Sequence, residues 1–327
     1  MFEYFNKPII ITGANASGKT AISLSIAHKI GAEIISADSR QIYKHLSAGT
    51  SKPQGRWVNN ENPVYIVDMI PYHLVDFIDP KETYNAQRYF YDFNGTLNKI
   101  KTKQVIICGG TGFYINSIFN PLDPLPQANE KIRTELKEYA DKYGREKLHE
   151  KLIEIDPVAA KKIHYNNINR VIRAIEVSIM TSKPYSSLIS DNTFKRESYF
   201  KAFFVFIKWD KNLLYKRIKE RTKNVFDDWV NETKNLILNG YTHDCPGLKS
   251  LGYPVIIEYI SQSITKDYAI DIITKQSMDY AKRQNTWFNR YPSLKIDINN
   301  QKDFDIEKIT KDIIEKYESS CNSSSSC

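Results

Sequence analysis

The stretch Pro8-Ile9-Ile10-Ile11-Thr12-Gly13-Ala14-Asn15-Ala16-Ser17-Gly18-Lys19-Thr20 decides the fold. A β-branched apolar run reads as a buried strand and feeds a loop of the form G-x-x-x-x-G-K-T. The loop in turn opens a periodic stretch over 21–30. Strand, glycine-bounded loop and helix in that order give the pattern its physical content. Gly13 and Gly18 let the backbone curl, so that the N–H groups of Ala14, Asn15, Ala16 and Ser17 point inward at an anion. The helix that follows adds its positive N-terminal end. Lys19 supplies a point charge to the terminal phosphate, and the Thr20 hydroxyl is a ligand for Mg²⁺. The plain alternative is a glycine turn with an accidental Lys-Thr, and the flanking strand and helix argue against it. The loop is read as binding a phosphate or diphosphate.

Three further runs rich in Ile, Val or Phe, over 33–37, 104–108 and 199–209, read as core strands. Helical patterns lie between them, so the expected fold is α/β, a P-loop NTPase-like parallel sheet core. Three prolines, Pro121, Pro124 and Pro126, interrupt both helix and strand. After them 129–174 reads almost wholly as helix. The expected organisation is a core over 1–122 and 199–310 with C-terminal helices, and a helical insertion over 123–198. From Lys211 the pattern is helical again, broken at Asn239-Gly240 and Pro246-Gly247. The serine-rich end, 311–327, reads as a disordered tail.

The chain has 327 residues, 41% of them hydrophobic, enough for a packed core. No apolar run has membrane-spanning length, and the first residues lack a basic stretch followed by an apolar segment. A soluble, cytoplasmic, monomeric protein is expected. Cys108, Cys245, Cys321 and Cys327 show no metal-ligand spacing, and no disulfide framework is expected. The net charge of +8 favours a polyanionic partner, because lysines and arginines gain by releasing condensed counterions.

In open α/β sheets, ligands sit beyond the carboxyl ends of the strands. Asp38, at the end of the second run, therefore projects toward the P-loop crevice. There it serves as a general base or holds Mg²⁺ through water, or else caps a following helix. Gly109-Gly110-Thr111-Gly112 ends the third run, implying close backbone approach or a tight turn, with the Thr111 hydroxyl on the same rim. Arg217 and Arg221 lie four apart and share a helix face, whether as a phosphate clamp or as a solvated surface. Lys282-Arg283-Gln284 with Trp287 suits RNA or a snorkelled helix equally.

An ordered series of segments resembles the tRNA dimethylallyltransferases, also called tRNA isopentenyltransferases, over nearly the whole chain. Beyond the P-loop it comprises Ser36-Ala37-Asp38-Ser39-Arg40-Gln41, Gly49-Thr50-Ser51-Lys52-Pro53 and Tyr72-His73-Leu74-Val75-Asp76. Then come Gly109-Gly110-Thr111-Gly112-Phe113-Tyr114, Asn169-Arg170-Val171-Ile172-Arg173-Ala174-Ile175-Glu176, Leu251-Gly252-Tyr253 and Ala281-Lys282-Arg283-Gln284. The resemblance implies transfer of the prenyl group of dimethylallyl diphosphate to N6 of the adenosine 3′-adjacent to the anticodon. It implies Asp38 as general base, and Lys19, Thr20 with Mg²⁺, and Arg221 as stabilisers of the leaving diphosphate. It further implies that Asp38, Ser39, Arg40 and Gln41, with Asn169, Arg170, Val171, Ile172 and Arg173, contact the anticodon stem-loop. Thr111 and Arg133 would flank the channel.

The chain departs from the family at three places. Asn15 replaces a usual threonine, Thr222 to Val230 lacks a helix-dividing glycine, and Pro254 stands where a basic residue is common. Rival readings are an adenylate isopentenyltransferase acting on free nucleotide, a small-molecule kinase using ATP, and a tRNA-binding protein without catalysis.

Overall fold

Ile9–Gly13 forms β1, whose five residues are buried on both faces, as an interior parallel strand requires. The computed structural model describes residues 5–58, 63–120, 122–190, 199 and 201–322. Pro121, residues 191–198, Phe200 and 323–327 lie outside them, with the parts of the expected insertion, strand and tail that fall there. The other strands are β2 (Glu33–Ser36), β3 (Arg56–Val58), β4 (Val64–Val67), β5 (Ile70–His73), β6 (Val105–Cys108), β7 (Phe203–Trp209) and β8 (Ser293–Ile298). They form one sheet in the order β3-β4-β5-β2-β6-β1-β7-β8. The pairs from β5 to β8 are parallel, while β3, β4 and β5 pair antiparallel. The strand expected over 199–209 starts only at Phe203. Tyr199 instead begins a turn, its carbonyl accepting the Ala202 N–H.

The described chain divides into two compact units, Met1–Phe119 with Arg196–Cys327, and Asn120–Lys195. In the first, α1 (Lys19–Ile30) leaves the P-loop and buries Ile22, Ile26 and Ala27. The Asn85 side chain accepts the Arg88 N–H and so starts α2 (Ala86–Leu97); α3 (Gly112–Phe119) follows β6.

The second unit is helical: α4 (Glu130–Tyr143), α5 (Arg145–Ile155), α6 (Pro157–Lys162), α7 (Ile168–Thr181) and α8 (Tyr185–Leu188). Leu136, Leu148, Leu152, Val171, Ile172 and Ile175 form its core. Asp156 caps α6 through the Ala159 N–H and also accepts from Ser186 N–H and Oγ–H.

In the first unit again, α9 (Lys211–Leu238) runs unbroken through 222–230, as the missing glycine permits. Pro254 sits in the first turn of α10 (Tyr253–Ile260), where a missing N–H costs no helical bond. Next come α11 (Lys266–Phe288) and α12 (Ile306–Asn322). The last helix corrects the disordered tail expected over 311–327 as far as Asn322, the rest lying outside the described residues. Ile309, Thr310, Ile313 and Tyr317 form a buried stripe, and the Tyr317 hydroxyl donates to Lys7 O at 2.9 Å. Among the described residues no helix is long and apolar enough to cross a membrane.

Candidate active site

Sheet register brings three loops to one level. Ile11 lies opposite Cys108, and Cys108 opposite Ser36, so β1, β6 and β2 end together. Gly109 N–H then donates to Ile11 O at 3.1 Å, Ala37 N–H to Cys108 O at 2.8 Å, and Thr111 N–H to Ala37 O at 3.1 Å. These bonds seat the P-loop, 37–41 and 109–111 around a cavity of about 610 Å³. Its lining includes Lys19, Thr20, Asp38, Cys108, Arg217 and Arg221.

The P-loop is held through its own carbonyls, from within by Lys19 and from outside by Arg217 and Trp209. Lys19 Nζ donates to Ala14 O at 2.7 Å, Arg217 Nε to Ala16 O at 2.7 Å, and Trp209 Nε1 to Ser17 O at 3.1 Å. Arg217 is itself sandwiched, its guanidinium 4.9 Å from the Trp209 ring and 4.8 Å from the Phe304 ring. It braces the loop as well as lining the cavity. Gly18 is required twice over: its φ of +87° is left-handed, and a Cβ there would lie 2.3 Å from Phe304 Cζ. The buried Ser17 hydroxyl has no hydrogen-bond partner among the described residues, which suits a loop built to meet a polar ligand. Burial pushes the Lys19 ammonium below its ordinary value; Cys108 and Asp38 pull it back up, and Arg221 adds to the lowering. Burial, and then Arg217, also depress Arg221, and no carboxylate pairs with it among the described residues. Arg217 and Arg221 thus bring two cations to the cavity, neither of them in an ion pair among the described residues.

Asp38 does not cap a helix. Its Oδ1 accepts the N–H groups of Arg40 at 2.8 Å and Gln41 at 3.3 Å in a turn, and Oδ2 makes no hydrogen bond among the described residues. Thr111 Oγ1 accepts the Ser39 N–H at 2.9 Å, which ties the 37–41 loop to the glycine loop. The Gln41 carboxamide is committed to the backbone, donating to Thr50 O and Ser51 O, whereas Arg40 is exposed. Burial and the nearby Asp38 push the Tyr280 phenol up to about 12.

The other expected residues lie in the second unit. Asn169 and Arg170 are exposed on the first turn of α7. Val171 and Ile172 are corrected from RNA contacts to core: their side chains are buried at 0% and 3% exposure. Arg133 and Arg173 converge on Glu176, which is wholly buried. Arg133 Nε donates to Oε1 at 2.9 Å, and Arg173 Nη1 to Oε2 at 2.7 Å. Arg173 also donates to Pro126 O, and Asn129 N–H to Glu176 Oε1. Burial alone would raise the Glu176 carboxyl, but these bonds together hold it below 4.5. Its stabilisation is therefore present above pH 4.5 and is lost as the pH falls through the lower folded value. Glu176→Ala strands two guanidiniums and should destabilise the unit by ~3 kcal/mol, the low end for a buried pair because both arginines keep some solvent. Chemical denaturation of the full chain checks this; an unchanged midpoint would make the triad ornamental.

The family model described as IPP transferase matches residues 41–291, well over half of the chain. The chain belongs to this family. A tRNA dimethylallyltransferase of Elusimicrobium minutum is 44% identical over 288 residues, 88% of this chain and 92% of that relative. The full-length tRNA isopentenylpyrophosphate transferase of Bacillus halodurans is similar in structure, with a TM-score of 0.64 at 30% identity. That match covers 97% of this chain and 98% of that one. A eukaryotic dimethylallyltransferase, solved acting on tRNA, gives a TM-score of 0.69 at 21% identity over 95% of this chain and 80% of that one. That likeness is one of fold. In this IPP transferase family member the sequence pattern missed the bracing role of Arg217 and the hydrogen bonds of the Gln284 carboxamide to Asn15 N–H and Gly110 O. Only the four-residue spacing of Arg217 and Arg221 hinted at the first.

Proposed function

We propose that the chain transfers a dimethylallyl group from dimethylallyl diphosphate to N6 of the adenosine 3′-adjacent to the anticodon in tRNA. The products are N6-dimethylallyladenosine and diphosphate. The observation that carries the reading is one cavity lined both by an anion-binding loop with Lys19 and Arg221 and by the Asp38 carboxylate. The exocyclic amine is a weak nucleophile whose lone pair is delocalised into the ring. As its new N–C bond forms, its proton passes to Asp38, whose Oδ2 is not engaged by the turn. The allylic C–O bond breaks and its electron pair leaves on the diphosphate. The P-loop amides, Lys19 and Arg221 stabilise that growing charge.

Thr20 and Asp38 are oxygen donors on the cavity, and no cluster of three His, Cys, Asp or Glu side chains exists among the described residues. That donor set fits Mg²⁺, which keeps several waters and takes other ligands from substrate phosphates. Thr20 would hold it, and the ion would supply further neutralisation of the diphosphate oxygens.

The relatives described above are named for tRNA, which gives no support to a free-nucleotide acceptor or a kinase. The acceptor base must be splayed from its loop to be reached. Exposed Arg40, Asn169 and Arg170 are the side chains we assign to gripping the anticodon stem-loop, in a cytoplasmic protein acting as a monomer. Mass spectrometry of tRNA nucleosides after incubation with dimethylallyl diphosphate and Mg²⁺ tests the reaction. Absence of N6-dimethylallyladenosine would sink it.

The RNA grip has its own test. Affinity for tRNA should fall steeply with salt, and Arg170→Ala should reduce the slope of log K against log salt by ~1. Dimethylallyl diphosphate binding should stay as it was. An unaltered slope would remove Arg170 from the RNA surface. Arg173 is a poor probe, because its replacement also strips Glu176 of a partner.

A further inference from the structure

Gln284 is 4% exposed and lies on α11, far in sequence from the P-loop. Its Oε1 accepts the N–H of Asn15 at 2.9 Å, and its Nε2 donates to Gly110 O at 2.9 Å. Only one orientation of a carboxamide satisfies a donor on one side and an acceptor on the other, so the network fixes the amide. Tyr280, Gln284 and Trp287 stand at i, i+4 and i+7 on one helix face. All three meet the glycine loop after β6. Tyr280 lies beside Thr111, Gln284 holds Gly110, and the Trp287 ring abuts Gly112, where a Cβ would lie 2.2 Å from Cδ1.

We propose that Gln284 is a positioning residue: its carboxamide is a strut that sets the spacing between the P-loop and the glycine loop that carries Thr111. Resting on the function proposed above, this means the strut aligns the diphosphate end of the donor with the acceptor side of the cavity. Thr111 in turn holds the Ser39 N–H, next to Asp38. A shift in the strut therefore moves the base relative to the leaving group without removing any group that touches either. Asn15 spends its N–H on the strut, so the phosphate is gripped by the rest of the loop, Lys19 and Thr20.

The strut has a chemical signature. In Gln284→Glu the carboxylate still accepts from Asn15 but opposes the Gly110 carbonyl. Once protonated, its hydroxyl donates to Gly110 and both bonds return. An acceptor facing a buried carboxylate raises its pKa, so recovery comes as pH falls.

Three measurements on the full-length protein decide the matter. Gln284→Leu should lower the single-turnover rate by ~10–10², the scale of a misaligned reacting pair, while the Kd for inorganic diphosphate changes less than ~3-fold. Relative to wild type at the same pH, Gln284→Glu should match the leucine variant at pH 8.5 and recover several-fold toward pH 6. Deuterium uptake over 13–17 should accelerate in Gln284→Leu. The role is overturned by an unchanged rate, by a rate that falls only in step with diphosphate affinity, by a glutamate variant indifferent to pH, or by unchanged uptake. The exchange measurement needs no turnover. A wild type that transfers no prenyl group would therefore defeat the proposed function and still leave the strut decided.

Discussion

Replacing Asp38 with alanine should lower single-turnover prenylation by ~10²–10⁴, the usual cost of losing a positioned general base. The asparagine variant makes the test sharper. Asp38 Oδ1 accepts the Arg40 and Gln41 N–H groups, and an asparagine carbonyl can still accept both, though more weakly. Asp38→Asn should therefore keep the turn, the Ser39 bond to Thr111 and tRNA affinity, yet lose as much rate as Asp38→Ala. If asparagine retains most of the activity, Asp38 shapes the loop and some other group takes the proton. If alanine is slow only because tRNA no longer binds, the assignment also fails.

Lys19→Ala should weaken inorganic diphosphate binding by ~10–10²-fold, the worth of a charge-assisted hydrogen bond. The chemical step should slow by a further ~10²–10³, because the charge that Lys19 meets grows as the C–O bond breaks. Arginine should rescue poorly. Its planar fork cannot reach Ala14 O and a phosphate from the place of a single ammonium. The pH dependence carries a sign. Burial depresses the Lys19 pKa, so the ammonium is lost on the alkaline side at a lower pH than the 10.5 of an exposed lysine. Diphosphate affinity should fall along that limb in wild type, and the limb should vanish in Lys19→Ala. Titration calorimetry across the alkaline range reads both.

The centre of the fold was legible because its signals are local. Three isoleucines before a glycine loop favour a strand strongly, and the neighbouring parallel strands announce themselves by similar buried runs. The antiparallel edge was not legible. Arg56-Trp57-Val58 is short and exposed, and Val64–Val67 and Ile70–His73 are four residues each, so pairing rather than composition makes them strands. Serines around 319–326 disguised α12, whose helical period rests on a few well-spaced residues such as Ile309, Ile313 and Tyr317. At the site, the places of Lys19 and Asp38 on the cavity were legible from residue type and position in the strand-loop pattern. Arg173 could not. Glu176 stands three residues on along the same helix, so the pairing is local, but only tertiary structure shows that this carboxylate is buried and that Arg133 shares it. Gln284 is the extreme case, since an amide declares nothing until both of its partners are known.

The tethers on the P-loop carry a consequence for how the protein is made. Ser17 O waits for Trp209, Ala16 O for Arg217 and Asn15 N–H for Gln284, across sequence separations of 192, 201 and 269. A chain emerging from the ribosome presents its glycine loop long before the side chains that shape it. Domains form as units during synthesis, and contacts of such range close slowly. The P-loop thus reaches working shape only after these later elements are made, and a nascent chain stopped short of α11 holds a strand and a helix with no competent grip between them.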